Sequence, residues 1–245
     1  MDTLIVIPAR VASTRLPNKM LADIGGKPLI VHTWESVISG GFSDVVVACD
    51  GREIADAVEQ AGGKAVLTSP DLASGTDRVH AAYKAYDKEG KYKFIVNVQG
   101  DMPFVEPKLI SEVVELIKNS NYDMATVAST TSDDSYKLDQ VVKPVIAYDN
   151  ENERTGKALY FSRSPIPFGG PFFKHVGIYG FRTESLNKFV SLPQSKLEKS
   201  ERLEQLRAIE NGMTIGIKVL DLEHPISVDT AADLEQARAY FNGLR

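Results

Sequence analysis

The chain has 245 residues, of which 43% are apolar and 25% charged, a composition typical of a globular protein with a sizeable core. A net charge of −5 argues against broad binding to nucleic acid or to an anionic membrane. The one cysteine, Cys49, excludes an internal disulfide framework, and its apolar surroundings predict a buried, inert thiol. The N-terminus lacks a basic segment followed by an apolar one, and no apolar run approaches the ~20 residues of a membrane span. We therefore expect a cytoplasmic protein.

Apolar runs alternate with helical stretches over the first half of the chain. The expected strands cover residues 4–7, 45–49, 65–67, 94–98 and 124–128, and the expected helices cover 28–39, 52–61, 75–86 and 107–118. The stretch 23–28, with Gly-Gly and proline, is expected to form a turn. Ser74 and Asp77 have the spacing of a capping box. This alternation predicts a mostly parallel sheet flanked by helices.

The pattern changes beyond residue 130. Strands are expected at 141–148 and 158–161, joined by the turn-rich loop 149–156, and a further strand at 176–181. A helix is expected at 184–190, an amphipathic helix at 196–211, a strand at 215–220 and a final helix after the capping box of Thr230 and Asp233. The prediction is a single α/β domain, 1–245, with a Rossmann-like sheet and an antiparallel insertion at about 130–182 that forms a lid or dimer element.

A loop rich in positive charge follows the first strand. Arg10, Arg15 and Lys19 lie among small and hydroxyl residues, with no acidic residue between them. Such a loop suits a polyanion such as a triphosphate, although charge pattern alone favours a solvated surface loop equally. The loop is neither a Walker A sequence nor a Rossmann glycine fingerprint.

Two carboxylates follow predicted strands. Asp101 comes after the strand at 94–98, and Gly100 beside it allows a ligand to approach the backbone closely. Asp101 suits Mg²⁺, and Asp229 could join it on one ion, although Asp229 considered without Asp101 is better explained as a cap of the last helix. The histidines lack partners at the spacing of a zinc site, and no serine lies in a hydrolase elbow.

Taken in order, these stretches resemble the 3-deoxy-manno-octulosonate cytidylyltransferases, also called CMP-Kdo synthetases, almost from end to end. The resemblance is carried by Ile7-Pro-Ala-Arg10, Ser13-Thr-Arg-Leu-Pro17 with Lys19, Thr68-Ser-Pro-Asp71, Ser74-Gly-Thr-Asp-Arg78, Asn97-Val-Gln-Gly-Asp101, Ala158-Leu-Tyr-Phe-Ser-Arg163, His175-Val-Gly-Ile-Tyr179, Leu203-Glu-Gln-Leu-Arg207 and Val228-Asp-Thr230. Asn18, Met102 and the pair Asp50-Gly51 depart from the family pattern, and the segment 168–174 is short.

The resemblance implies that CTP and 3-deoxy-D-manno-octulosonate (Kdo) give CMP-Kdo and pyrophosphate, with Mg²⁺, for lipopolysaccharide biosynthesis. It assigns catalysis to Lys19, Arg15 and Asp101, and metal binding to Asp101 and Asp229. The nucleotide-binding residues that it implies are Pro8, Ala9, Arg10, Ser13, Arg15, Lys19, Ser74, Gly75, Arg78 and Gln99. The sugar-binding residues that it implies are Gln99, Arg163, His175, Tyr179, Glu204 and Gln205, with Arg163 suited to the sugar carboxylate.

Two alternatives stay open at this stage. The same chemistry could act on 8-amino-Kdo or on another 2-keto sugar acid, since the sequence does not distinguish a hydroxyl from an amine on a distant sugar carbon. A protein of a different class, a nucleotide-binding regulator without turnover, is disfavoured by the presence of Lys19, Asp101 and Asp229 together. The exposed strands of the antiparallel insertion predict a homodimer, and no nucleic acid or membrane partner is expected.

Overall fold

The structure is a computed structural model that describes residues 2–13, 15–131, 134–150 and 154–243. The chain forms two compact units, residues 1–111 with 225–245 and residues 112–224. Thr14 of the basic loop and residues 151–153 of the predicted hairpin loop lie outside the described residues. None of the helices in the described part of the chain combines the length and apolar character that crossing a bilayer requires.

The first unit contains a parallel sheet flanked by helices, which confirms the predicted fold class. Its strands follow the spatial order β5-β4-β1-β6, and every neighbouring pair is parallel. The strands are β1 (Thr3–Ala9), β4 (Val45–Cys49), β5 (Ala65–Leu67) and β6 (Phe94–Asn97), with a separate hairpin of β2 (Asp23–Ile24) and β3 (Lys27–Pro28). The helices are α1 (Leu29–Ser39), α2 (Arg52–Gln60), α3 (Gly75–Tyr86), the beginning of α4 (Pro107–Asn119) and α8 (Ala231–Gly243).

One local prediction for this unit was wrong in its bounds, and another is confirmed as part of a hairpin. β1 does not stop at residue 7 but continues through Pro8 to Ala9. The pairing of β1 with β6 ends at Val6, so at Pro8 only β4 lies alongside, and proline is tolerated where a strand has one neighbour. The expected turn at 23–28 contains the β2–β3 hairpin, because Gly25 and Gly26 let the chain reverse within two residues.

The core of the first unit lies between its sheet and helices. Val46, Val47 and Ile95, on β4 and β6, are fully buried. Cys49 is also fully buried, and burial raises the pKa of its thiol to about 11, so the thiol stays protonated at neutral pH. The prediction of a buried, inert cysteine is confirmed.

The second unit contains a mixed sheet in the order β10-β7-β11-β9-β8. Its strands are β7 (Met124–Thr130), β8 (Lys143–Tyr148), β9 (Thr155–Ser162), β10 (Phe173–Arg182) and β11 (Ile215–Leu220). β7 and β11 are parallel, whereas the other neighbouring pairs are antiparallel, as expected for the β8–β9 hairpin. The helices are the rest of α4, α5 (Thr183–Ser191), α6 (Lys196–Glu201) and α7 (Leu206–Glu210).

The predicted single helix at 196–211 was wrong, because the chain forms two short helices there. α6 ends at Glu201, and the residue that follows, Arg202, adopts a left-handed conformation with φ of 56° that interrupts the helix. Tertiary pairing explains the break, since Glu198 of α6 and Arg207 of α7 form a bidentate ion pair with N–O distances of 2.6 and 2.9 Å. Both side chains are buried, and a continuous helix would not bring them together in this way.

Candidate active site

The predicted basic loop begins where β1 ends, at the carboxyl edge of the parallel sheet of the first unit. After the loop, a turn of 3₁₀ helix over Lys19–Leu21 buries the side chain of Lys19. The residue before this turn, Asn18, has a left-handed conformation with φ of 54°. Asparagine adopts this conformation more readily than most residues, so Asn18 suits the turn although it departs from the residue expected from the family resemblance.

Lys19 lies between the two predicted metal ligands. Its Nζ donates a hydrogen bond of 2.8 Å to Oδ2 of Asp101 and one of 2.9 Å to Oδ1 of Asp229. The side chain of Lys19 is only 8% exposed. Arg15 approaches the same oxygen of Asp229 from the solvent side, with an N–O distance of 3.0 Å and a side chain that is 63% exposed. Two carboxylates and two cations therefore balance each other's charge within one cluster.

The two carboxylates determine the charge state of Lys19. Burial by itself would lower the pKa of its ammonium group, but the charges and hydrogen bonds of Asp101 and Asp229 outweigh burial and raise the pKa above its ordinary value. Lys19 is therefore fully protonated at neutral pH. It supplies a fixed positive charge and is unsuited to act as a general base.

Asp101 and Asp229 come together because the backbone is tightly held around each of them. The backbone N–H of Val228 donates to the carbonyl of Asp101 at 2.9 Å, which joins the two segments. Gly100 lies so close to β1 that a Cβ there would be 2.6 Å from the carbonyl oxygen of Pro8. Only glycine permits this approach of the two backbones. The predicted approach of a ligand to Gly100 stays a prediction, since the close neighbour here is β1.

The start of α3 forms the opposite wall of the site. Ser74 caps the helix, as its Oγ accepts a hydrogen bond from the N–H of Asp77 at 3.1 Å and donates one to the carboxylate of Asp77 at 2.9 Å. The predicted N-cap at Ser74 is confirmed, with the side chains of Ser74 and Asp77 joined by a hydrogen bond. The O–H of Ser74 is thus used, whereas its oxygen can accept one further hydrogen bond, for example from a hydroxyl or amino group of a nucleotide.

Arg78 of α3 is buried and its charge is already paired. One of its nitrogens donates to Oδ2 of Asp50 at 2.9 Å, and another donates to Oγ1 of Thr68 at 2.5 Å. The side chains of Arg78 and Asp50 are 4% and 7% exposed. Sequence reasoning noted Asp50 only as a departure from the family pattern. The signal that could have revealed its importance is an acidic residue at the carboxyl end of a buried strand.

All the residues predicted to bind nucleotide or metal line one cavity of about 300 Å³ in the first unit. The lining residues are Pro8, Ala9, Arg10, Ser13, Arg15, Lys19, Met20, Leu72, Ala73, Ser74, Gly75, Arg78, Gln99, Gly100, Asp101 and Asp229. Met20, Leu72, Ala73 and Gly100 were not predicted, although all except Leu72 adjoin a predicted residue in sequence. The structure brings the set together, and the role of each member stays a prediction.

Except for Gln99, the predicted sugar-binding residues belong to the second unit. His175 and Tyr179 lie on β10, on either side of a β-bulge between Val176 and Tyr179, and their ring centroids are 5.4 Å apart. Nε2 of His175 lies 3.0 Å from Oγ1 of Thr126. Burial lowers the pKa of His175 to about 3 and raises that of Tyr179 well above its usual range, so both are neutral at physiological pH.

Glu204 and Gln205 occupy the segment between α6 and α7. The Glu198–Arg207 ion pair fixes both ends of this segment, because it joins the two helices that flank it. Gln205 is only 3% exposed, and within the described residues its Nε2 has no hydrogen-bond partner. A buried amide without a partner is costly, so this atom marks a place where a polar ligand would be stabilising.

Arg163 is engaged with the backbone. Its guanidinium donates to the carbonyl oxygens of Glu201 at 2.9 Å, Asp139 at 2.9 Å and Arg202 at 3.4 Å. The carboxylate of Glu201 in turn accepts from the N–H of Arg163 at 3.0 Å and from the hydroxyl of Ser162 at 2.8 Å. In this structure Arg163 holds the left-handed turn that precedes Glu204 and Gln205. Its predicted contact with a sugar carboxylate stays a prediction.

Comparison with known proteins identifies the class. A family model described as cytidylyltransferase matches residues 4–215. The chain is 48% identical to 3-deoxy-manno-octulosonate cytidylyltransferase of Paramagnetospirillum magneticum, over 96% of each chain. It is 49% identical to the enzyme of the same name from Parvibaculum lavamentivorans, over 96% of this chain and 91% of the relative. A solved CMP:2-keto-3-deoxy-manno-octonic acid synthetase, complexed with CTP, superimposes with a TM-score of 0.90 at 35% identity over 100% of both chains.

A parallel α/β sheet with carboxylates and cations gathered beyond its carboxyl edge is suited to binding a phosphorylated ligand. The matching family model and the relatives agree on the transferred group. The chain belongs to the cytidylyltransferase family, among the 3-deoxy-manno-octulosonate cytidylyltransferases.

Proposed function

We propose that this protein transfers the cytidylyl group of CTP to Kdo. The oxygen of the sugar's anomeric hydroxyl forms a bond to the α-phosphorus of CTP, and the bond from that phosphorus to the oxygen bridging to the β-phosphorus breaks. CMP-Kdo and pyrophosphate are the products, and the hydroxyl proton is released. The observation that carries the proposal is the cavity in which Lys19, Arg15 and Arg10 meet Asp101 and Asp229.

The residues of this cavity suit the charge changes of the reaction. Negative charge accumulates on the departing pyrophosphate, and positioned cations stabilise such charge most effectively where water is excluded. Lys19 is buried and permanently charged, which favours it at the transition state, whereas Arg15 and Arg10 are exposed and suited to the incoming triphosphate. The sugar would contact His175, Tyr179, Glu204 and Gln205, where the partnerless amide of Gln205 supports a polar ligand.

We further propose Mg²⁺ as the cofactor, held by Asp101 and Asp229. Their carboxylate oxygens already converge on one cation, the ammonium of Lys19, and oxygen ligands of this kind are those that Mg²⁺ prefers. When bound, Mg²⁺ would neutralise phosphate oxygens of the nucleotide and orient them. With the two carboxylates engaged by the ion, Lys19 and Arg15 would lose these partners and could pair with the phosphates instead.

The experiment measures pyrophosphate released from CTP with Kdo or 8-amino-Kdo, with Mg²⁺ and again with excess chelator. We expect release with Kdo in the presence of Mg²⁺ and loss of release with chelator. Asp101→Asn should abolish turnover, whereas Asp56→Asn, in an exposed ion pair on α2, should leave it unchanged. Release with 8-amino-Kdo alone would reassign the sugar, and CTP binding without release from either sugar would indicate the regulator.

We also propose a homodimer that works in the cytoplasm, where CTP is available, in the supply of CMP-Kdo for lipopolysaccharide biosynthesis. Exposed apolar side chains in the second unit support the dimer, because a second copy could cover them. They are Leu138, Tyr148, Leu159 and Phe168. Sedimentation equilibrium should give twice the mass of the chain, and a monomer would contradict the proposal.

A further inference from the structure

We infer that Asp50, which lies outside the cavity wall, is a positioning residue for the nucleotide half of the site. The inference rests on the proposed function and extends it to a residue that the family resemblance left without a role. Asp50 follows β4 directly and is nearly fully buried. Each of its carboxylate oxygens contacts a different wall of the cavity.

One oxygen of Asp50 holds the basic loop. Its Oδ1 accepts a hydrogen bond of 2.7 Å from the backbone N–H of Val11. Val11 lies between Arg10 and Ser13, both of which line the cavity. This bond therefore sets the course of the loop just after it leaves β1, before the chain reaches Arg15 and Lys19.

The other oxygen of Asp50 holds α3. Its Oδ2 accepts from Arg78 at 2.9 Å, and Arg78 lies one turn after Ser74 and Gly75, which form the opposite wall. Thr68 completes the arrangement, since its hydroxyl accepts from Arg78 and donates to the carbonyl of Cys49 at 3.0 Å. The guanidinium is thus held from two sides and anchored to the end of β4.

The backbone beside Asp50 shows independently that the loop is docked here. A Cβ on Gly51 would lie 2.2 Å from Cγ2 of Val11, a distance that no side chain can adopt without displacing its neighbour. Gly51 has an ordinary extended conformation, with φ of −123°, so the glycine is required by the close approach of Val11. Asp50 and Gly51 together form the point at which the basic loop and α3 are joined.

The charge of Asp50 also determines what Arg78 can do. A buried carboxylate paired with a buried guanidinium cancels its charge, so Arg78 adds little to the positive potential that attracts the triphosphate. Arg78 would instead line the nucleotide site as a side chain of fixed position, with its charge neutralised by Asp50. Loss of the Asp50 charge should leave the guanidinium of Arg78 without its carboxylate partner and α3 less firmly positioned. We expect this loss of positioning to outweigh the added positive potential, so that nucleotide binding loosens and the chemical step stays largely intact.

The test compares Asp50→Asn with Asp56→Asn, the same substitution in an exposed ion pair on α2. The asparagine oxygen can still accept from Val11, but its amide no longer neutralises Arg78. For Asp50→Asn we expect the Kd and KM for CTP to rise at least about tenfold, with kcat within about threefold and the KM for the sugar unchanged. Asp56→Asn should match the wild type in each quantity.

A double-mutant cycle separates positioning from a general loss of stability. Because Asp50 acts through Arg78, Asp50→Asn combined with Arg78→Gln should raise the Kd for CTP no further than Arg78→Gln alone. Additive increases, or an Asp50→Asn protein with lower thermal stability and unchanged Kd, would overturn the inference. If wild-type protein binds CTP but does not transfer it, the proposed function is contradicted. The Kd for CTP of Asp50→Asn then still decides whether Asp50 positions the nucleotide half of the site.

Gly51→Ala tests the same junction without removing a charge, and it decides the matter if Asp50→Asn does not fold. The added methyl group must displace Val11, so the Kd for CTP should rise at least about fivefold. The matched control is Gly243→Ala, because a Cβ at Gly243 meets no other atom and the residue has no positive φ. Gly62 is also open to a Cβ, but its positive φ would strain an alanine there. An unchanged Kd for Gly51→Ala would overturn the inference.

Discussion

The location of Lys19 predicts competition between its ammonium group and a metal ion. The ammonium donates to Asp101 at 2.8 Å and to Asp229 at 2.9 Å, so a divalent cation that binds both carboxylates must displace it. A hydrogen bond between charged groups contributes about 1.5–3 kcal/mol, and two at the lower limit oppose the metal by about 3 kcal/mol. At 1.4 kcal/mol for each factor of ten, this corresponds to about a hundredfold in affinity.

Lys19→Met removes the ammonium and keeps an unbranched side chain in the buried position. In the absence of nucleotide, we expect Mn²⁺, used as a paramagnetic substitute for Mg²⁺, to bind Lys19→Met about a hundredfold more tightly than the wild type. Electron paramagnetic resonance of free Mn²⁺ measures this directly. Turnover should fall at the same time, because the variant lacks the fixed charge that we propose stabilises the leaving pyrophosphate.

The matched control is Lys27→Met, which breaks an exposed ion pair with Glu35 and should leave the Mn²⁺ affinity unchanged. Arg15→Met should raise the affinity by a smaller factor, since Arg15 contacts Asp229 alone and is mostly exposed. An Mn²⁺ affinity for Lys19→Met equal to or below that of the wild type would refute the reasoning. It would show that the ammonium and the metal do not occupy the same position.

Three further predictions concern the second unit. Glu198→Gln leaves the buried Arg207 without its carboxylate and should lower the free energy of unfolding by about 3–5 kcal/mol, measured by urea denaturation. Gln205→Met removes the buried amide that lacks a partner among the described residues; the free energy of unfolding should rise by about 1 kcal/mol while the KM for Kdo increases. Acidification from pH 6.5 to about pH 5.5 should lower the free energy of unfolding by about 1 kcal/mol for each of His175 and His224, because burial lowers their pKa values to about 3 and about 4.

The sign of the pH effect follows from proton uptake. Below pH 6.5 the unfolded chain binds protons at both histidines while the folded chain does not, so stability falls as pH falls towards the folded pKa values. Urea midpoints that do not change between the two pH values would contradict this.

Glu59→Gln, in an exposed pair with Arg52, is the control for Glu198→Gln and should change stability by less than about 1 kcal/mol. A Gln205→Met protein that is less stable than the wild type would show that the amide has a partner.

Much of the fold could be predicted because local patterns specify it. Strands such as Val45–Cys49 and Ala65–Leu67 have the predicted bounds, and the caps at Ser74 and Thr230 form as their spacing indicates. The break at Arg202 could not be predicted, since the helical periodicity continues through it. The left-handed turn exists because Glu198 and Arg207 pair across it, and periodicity does not report tertiary pairing.

In the candidate site, too, the residue types could be predicted from the sequence and their contacts could not. The sequence identified Lys19 in the basic loop, Asp101 directly after a strand and Asp229 between a strand and a helix, and the family motifs added their predicted roles. It did not indicate that the ammonium lies between the two carboxylates, because Asp101 and Asp229 are 82 and 210 residues from Lys19 in the chain. Nor did it indicate that Arg163 donates to three backbone carbonyls.

The sequence by itself determined which elements form, which residue types are available and which family the chain resembles. Those properties depend on neighbouring residues and on motif order, so they can be read along the chain. Only the tertiary structure decided which charges are already paired, as Arg78 is with Asp50. Pairing depends on distances between remote segments and on the exclusion of water from buried groups, and together these determine whether a charge is available to a ligand.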